Sequence, residues 1–325
     1  ALVAQMTLAE KADFCSGKDF WHLPGLERLQ VPSIMVTDGP HGLRKQGQGA
    51  DHLGAHRSIP ATCFPTASAL ASSWDVALMQ EVGEALGATC VDEDVSVLLG
   101  PGMNIKRSPL CGRNFEYFSE DPFLNGHIAS NLVNGIQSQG VGACLKHFAV
   151  NNQELGRMYM DAIVDDRALR EIYLRGFEIA VKTAKPWTVM CAYNRLNGVF
   201  CSEHDWLLNT VLREEWGFDG AVMTDWGAAN DRPLGVKAGL DLEMPSSGGI
   251  NDALVAQAVT DGTLDEADLD RAIVRNITLS LSSLNRQKPA TSADADAQHA
   301  LARKAAAHSC VLLQNKDHVL PLSAQ

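Results

Sequence analysis

The run Ala221-Val-Met-Thr-Asp225-Trp226 ends an apolar, strand-like stretch in a carboxylate, followed at once by an aromatic side chain. In a protein of repeating βα units, a polar residue where a buried strand runs out stands at the mouth of the sheet, where active sites assemble. A carboxylate placed there serves as a nucleophile or a general base. Other strand-like runs end in comparable chemistry. The first reaches Thr37-Asp38-Gly-Pro-His41-Gly-Leu-Arg44. The second leads into Gly100-Pro-Gly-Met-Asn104-Ile-Lys-Arg107, and then Gly112-Arg113-Asn-Phe-Glu116-Tyr-Phe-Ser-Glu120-Asp121-Pro. The third contains Lys146-His147-Phe and continues into Asn151-Asn-Gln-Glu154 and Arg157. The fourth closes on Met190-Cys-Ala-Tyr193-Asn194.

Carboxylates, paired cations, an amide-rich loop and aromatics on one face suit a sugar. Charged groups take its hydroxyls by charge-assisted hydrogen bonds, and aromatics cover its apolar C–H face. Each residue also has a structural reading. A lone Asp at a strand end commonly caps a helix. Arg113, Glu116 and Glu120 could form an ion-pair network that holds a loop, Asn151 and Asn152 could be turn residues, and Trp226 alone would be core. Lys146 and His147 are harder to set aside, because a buried lysine is rare unless paired. The joint pattern argues for a site.

The elements that must position these groups alternate. Strand-like runs at 33–37, 95–99, 143–149, 188–192 and 221–224, with a shorter one at 239–243, are continuously apolar, as strands buried on both faces are. Helical patterns lie between them at 74–91, 125–137 and 166–183. In the last, Leu169, Tyr173, Phe177 and Ala180 share one face, behind acidic Asp165 and Asp166. Repeated βα units imply a parallel sheet with right-handed crossovers. The expected fold is α/β, a (β/α)8 TIM-type barrel over residues 1–286. An open doubly wound sheet is the alternative, but no GxGxxG follows the first strand. Residues 287–298 turn polar and small and read as a linker. The helical pattern at 299–309 and the strand-like run at 310–313 read as the opening of a second α/β domain over 299–325.

A chain of 325 residues, 46% hydrophobic and 20% charged, is long enough for a sizeable core. A net charge of −12 argues against nucleic acid or an anionic membrane as partner. No apolar run reaches the roughly 20 residues that span a bilayer. Eight cysteines form no CxxC pair. Buried free thiols and a cytoplasmic location are expected, with a periplasmic or secreted one if a leader was trimmed from the start. No cofactor or metal is implied: there is no Walker loop or dinucleotide fingerprint, and His41, His52, His56 and His147 are too dispersed for zinc. The loop at 46–58 reads as a polar surface connection.

The motifs Asp38-Gly-Pro-His-Gly-Leu-Arg, Gly-Arg113-Asn-Phe-Glu-Tyr-Phe-Ser-Glu-Asp-Pro, Lys146-His147-Phe-Ala-Val-Asn-Asn-Gln-Glu and Met-Thr-Asp225-Trp226 resemble glycoside hydrolase family 3, and most of all its β-glucosidase branch. The resemblance runs from Met6 to the end of the chain. It implies that Asp225 is the catalytic nucleophile of a retaining double displacement. It places Asp38, Arg113, Lys146 and His147 against the hydroxyls of the sugar, and Arg157, Met190, Tyr193 and Trp226 along the pocket. Lys146 and Arg113 should help keep Asp225 ionised. The implied substrate is a β-glucoside or short oligosaccharide, and a homodimer is left open.

The mechanism needs a second carboxyl to protonate the leaving oxygen. In the branch that the chain resembles, that glutamate belongs to a second domain, beyond this sequence. The His–Asp acid of the N-acetylglucosaminidase branch has no counterpart, because Phe148 is followed by Ala149-Val-Asn-Asn. No general acid is therefore assigned; Glu116, Glu120 and Glu154 lie in the motifs without a mark of that role. The competing functions are a β-xylosidase or broad-specificity β-glycosidase, a non-catalytic sugar-binding relative, and an aldolase with a Schiff base on Lys146.

Overall fold

The computed structural model describes residues 1–47, 49, 56–285 and 293–323. Five parallel strands form the central sheet in chain order: β1 (Met35–Asp38), β2 (Val95–Leu99), β3 (Gly142–Phe148), β4 (Thr188–Cys191) and β5 (Ala221–Thr224). Every residue of β2 to β5 is buried, which is why these runs carry no polar alternation. The register pairs Leu98 with Ala143, Leu145 with Val189, and Met190 with Met223. It breaks in β3 between Leu145 and Phe148, and the Lys146–His147 and Phe148–Ala149 peptides are cis.

The sheet curls into a (β/α)8-type barrel whose ring is completed by short bridged segments. Leu242 pairs with Met223 of β5, Glu243 pairs with Ser16, and His22 runs antiparallel to Met35 of β1. The strand expected at 239–243 is thus reduced to bridges. Side chains stand in for the missing ladder bonds. Arg232, 1% exposed, donates to the carbonyls of Cys15 (2.9 Å), Asp241 (3.2 Å) and Leu240 (3.3 Å). Asn276 donates to Phe14 (3.1 Å) and Asp241 (2.9 Å). The Asp241 carboxylate, fully buried, takes Arg213 at 2.6 Å, Arg275 at 3.0 Å and the Val222 amide at 2.7 Å.

Helices cover the sheet. Val76–Asp92 and Pro122–Ser138 start on the Asp75 and Asp121 caps and pack closely on each other. The helix expected at 166–183 is present, but its middle, Leu169–Tyr173, is a π turn between Asp166–Ala168 and Arg175–Ala184. Leu169, Phe177 and Ala180 face the core as their spacing requires. A small sheet of 161–162, 195–196 and 199–200, which no alternation announces, folds over the region after β3. Among the described residues no helix is long and apolar enough to cross a membrane.

The C-terminal segment departs from expectation. Half of the expected linker, 287–292, lies outside the described residues. The helix begins at Ala295 rather than 299 and ends at His308. It packs on the barrel: Gln298 donates to the Ala85 carbonyl (3.0 Å), Lys304 meets Glu81 (2.7 Å), and Ala305 is buried. Residues 310–313 form no strand, and Val311, Leu312 and Leu313 are exposed. The run is apolar but has no neighbouring strand here to satisfy its backbone.

Asp241→Ala should lower stability by about 3–5 kcal/mol, because two guanidinium groups lose a buried counter-charge. The readout is a lower urea midpoint at unchanged slope. A midpoint equal to wild type would show that the seam does not depend on this cluster.

Candidate active site

A cavity of about 150 Å³ opens at the C-terminal ends of the strands. All nine residues singled out from the sequence line it: Asp38, Arg113, Lys146, His147, Arg157, Met190, Tyr193, Asp225 and Trp226. Two more join them, Trp21 and Arg44. Arg44 belongs to the turn after β1. That turn is tight enough that a Cβ on Gly39 (φ +136°) would collide with the Gly42 carbonyl, and it folds the Arg44 amide back onto the Asp38 carbonyl at 2.9 Å. Trp21 is brought in by the segment that closes the ring. Its indole packs 5.2 Å from that of Trp226 and donates to Gln46 at 3.1 Å.

Strand ends place the rest. Asp38 ends β1, Lys146 and His147 sit at the register break of β3, Met190 lies in β4, and Asp225 follows β5 directly. Neighbours on a regular strand point to opposite faces, yet Lys146 and His147 both reach the cavity. The Asn104 side chain clamps the His147 backbone on both sides, accepting from its amide and donating to its carbonyl, each at 2.9 Å. Arg113 enters from the loop after β2, held by Glu116. Arg157 comes from the loop under the small sheet, held by Glu154 at 3.0 Å, with its guanidinium 4.7 Å over the Tyr193 ring. The Tyr193 hydroxyl donates to the Trp226 carbonyl at 2.9 Å.

The charges alternate around the cavity. Lys146 Nζ lies 3.0 Å from Asp38 Oδ1, and Arg44 lies 3.6 Å from Asp38 Oδ2. Burial pushes the Asp38 carboxyl up, but Lys146 and Arg44 outweigh it, so its pKa falls below the usual range. Burial pulls the Lys146 ammonium down, but Asp38 and Glu116 hold it above its usual value. At Asp225 the balance reverses. Arg113 and Lys146 act in the direction expected from the sequence, yet burial exceeds them and the pKa lies above the ordinary carboxylate value. Burial, with Arg113, Lys146 and Arg157, drives His147 far below its usual value, so its imidazole is neutral.

Asp225 Oδ1 accepts the Trp226 amide at 2.8 Å. Its Oδ2 is buried and has no hydrogen-bond partner among the described residues, and 3.5 Å away His147 Nε2 is in the same condition. Unpartnered buried polar atoms are costly and mark a place for a ligand or for chemistry. No glutamate lines the cavity: Glu116 and Glu154 face their arginines, and Glu120 is exposed. Among the described residues no three His, Cys, Asp or Glu side chains group as a metal site. His41 lies behind the cavity, its Nε2 accepting the Ala67 amide at 2.8 Å. His52 lies outside the described residues.

Residues 26–279 match the glycosyl hydrolase family 3 N-terminal domain. Over 99% of its length the chain is 60% identical to thermostable beta-glucosidase B of Acetivibrio thermocellus, covering 42% of that protein. It is 52% identical to an exo-alpha-(1->6)-L-arabinopyranosidase of Bifidobacterium longum, again over 99% of this chain and 42% of the relative. Two solved structures superpose with a TM-score of 0.92. One is the Bifidobacterium adolescentis GH3 beta-glucosidase, 50% identical, with 98% of this chain covering 46% of that one. The other is beta-glucosidase 3B from Thermotoga neapolitana in complex with alpha-D-glucose, 42% identical, with 99% covering 48%. The chain spans less than half the length of these relatives.

His41 gives the fold a pH dependence. Burial holds its pKa down to about 4, with Lys146 acting the same way and Glu116 opposing. The unfolded chain takes a proton near about 6.5 while the folded chain does not, so stability falls on acidification between these values, by about 1.4 kcal/mol per pH unit. His147 contributes in the same sense, and Asp225 in the opposite one. His41→Gln keeps an acceptor for Ala67 and should narrow the difference in melting temperature between pH 7 and pH 5. An unchanged difference would show that His41 is not the linked group.

Proposed function

This chain belongs to glycosyl hydrolase family 3, and on that premise we propose that it is the nucleophile-bearing part of a retaining exo-β-glucosidase. Asp225 attacks the anomeric carbon of a terminal β-D-glucosyl residue as the glycosidic oxygen leaves with a proton. Water then attacks the covalent glycosyl-enzyme from the face that the leaving oxygen vacated and releases the Asp225 carboxylate, with overall retention. The proton donor is a glutamate outside this sequence. The observation that carries the reading is Asp225 Oδ2, buried at the cavity with no hydrogen-bond partner among the described residues, an oxygen placed to bond to carbon.

The other groups follow from their chemistry. Asp38, half-buried, and Lys146, buried, form a donor–acceptor pair that grips outer hydroxyls, and Arg113 and His147 supply donors nearer the nucleophile. Trp226 and Trp21 wall the apolar side of the sugar. A cavity of about 150 Å³ suits one terminal sugar unit, which supports exo action. The 52% identity to the arabinopyranosidase favours a second substrate as well. An α-L-arabinopyranosyl unit has the ring of β-D-galactose without its hydroxymethyl group. Its anomeric carbon therefore opens to a nucleophile on the same face as in a β-D-glucoside. β-Xylosides, which are glucosides without that arm, join the set to be assayed.

Intact mass after incubation with 2,4-dinitrophenyl 2-deoxy-2-fluoro-β-D-glucoside tests the nucleophile. This leaving group departs without protonation, so no general acid is needed. One fluoroglucosyl unit should appear on Asp225. It should be absent in Asp225→Ala, whose full-length enzyme should lose turnover on the order of 10⁴-fold or more. Normal turnover by Asp225→Ala would sink the reading, as would absence of labelling in both this chain and the full-length protein. In the full-length enzyme, Asp38→Ala should lower kcat as well as raise KM, because hydroxyl contacts remote from the reacting bond strengthen in the transition state. An effect confined to KM would count against that role.

A further inference from the structure

We propose that Tyr117 is a positioning residue of this reaction: its hydroxyl donates to His147 Nδ1 and fixes the imidazole in the tautomer that presents Nε2–H to the cavity. The inference rests on the glycosidase reading above. Tyr117 and His147 are both fully buried, and the hydroxyl lies 3.0 Å from Nδ1 with the two rings at 82°. Tyr117 directly follows the turn Asn114–Glu116, next to Glu116, which holds the guanidinium of Arg113 at the cavity. Its ring packs over Gly102, where an added Cβ would come within 3.1 Å of it. Asn104 holds the histidine backbone at 2.9 Å on both sides, so the ring is anchored by its own main chain and by Tyr117.

Proton accounting selects the tautomer. A neutral imidazole carries one N–H, and its place is set by the bond that the other nitrogen makes. With the proton on Nε2, Nδ1 accepts from the phenol and Nε2–H faces Asp225 Oδ2, 3.5 Å away. With the proton on Nδ1, two things go wrong. The phenol proton has no other acceptor among the described residues, and an Nε2 lone pair faces a carboxylate oxygen. A buried donor left unmade and a repulsive pair are both costly, whereas the first arrangement has neither. His147 is thus a fixed donor beside the nucleophile, able to hold Asp225 in the empty site and a sugar hydroxyl in the filled one. Tyr117 acts only through it.

The test uses the full-length enzyme labelled with [15N]histidine, the His147 signals being assigned by their loss in His147→Gln. The expected spectrum shows Nε2 protonated and Nδ1 as an acceptor; a protonated Nδ1 or an imidazolium overturns the proposal. Tyr117→Phe should lower kcat/KM on an aryl β-glucoside by about tenfold or more. It should also move the acid limb of the pH profile upward, because the neutral imidazole loses the bond that favours it. A merely structural role would change the melting temperature and leave the limb and the tautomer in place, and that result overturns it too. If Tyr117→Phe does not fold, isosteric 3-fluorotyrosine, a stronger donor, should shift the Nδ1 resonance, and an unmoved resonance refutes the bond. A full-length enzyme inert on glucosides would refute the functional reading alone, since the spectrum decides the tautomer without turnover.

Discussion

The contest between burial and charge at Asp225 governs the upper face of this barrel. A buried carboxylate has lost its water, and that loss resists its ionisation. Arg113 and Lys146 supply the opposing field, and burial still keeps the pKa above the ordinary value. The arrangement stops short of full compensation because each cation already has a carboxylate of its own. Lys146 is tied to Asp38, Arg113 to Glu116 and Arg157 to Glu154. Had these cations been free to close on Asp225, its oxygens would be satisfied and, in the proposed reaction, poor at attack. The neutrality of His147 belongs to the same balance. A further cation in contact would pair with Asp225, whereas a neutral ring offers one hydrogen bond.

The scaffold below solves a related problem. A ring of five regular strands and a few bridged segments leaves main-chain groups that a full ladder would pair. Arg232 and Asn276 take the exposed carbonyls, and Asp241 takes an amide and two guanidinium groups. These groups are tolerable in the interior because Asp241 neutralises Arg213 and Arg275 and main-chain carbonyls take Arg232. The same irregularity serves the site: the segment that closes the ring carries Trp21 to the cavity.

The proposed double displacement uses two carboxyls, and Glu116 and Glu154 of the motifs are committed to arginines. This agrees with a chain that spans less than half the length of its relatives. The helix Ala295–His308 already rides on the barrel, so the apolar run that follows it leaves from a fixed point on this body.

Local sequence carried the strands well. The apolar runs 95–99 and 221–224 match β2 and β5 residue for residue, because burial on both faces leaves an unbroken hydrophobic signature. It also carried the chemistry at strand ends: nine residues scattered from Asp38 to Trp226 converge on one cavity, since parallel strands bring their C-terminal ends to one face. What depends on contacts between distant residues was not legible. Trp21 has no periodicity to mark it and meets Trp226 only when the ring closes. The fate of the 310–313 run turned on whether a strand lay beside it, which composition does not record. The direction of the Asp225 shift required the depth of burial, a property of the whole fold. By itself the sequence determined which groups are present and which end of the sheet they reach; the tertiary structure decided their charge states and partners, because desolvation and hydrogen bonding arise only where separate segments meet.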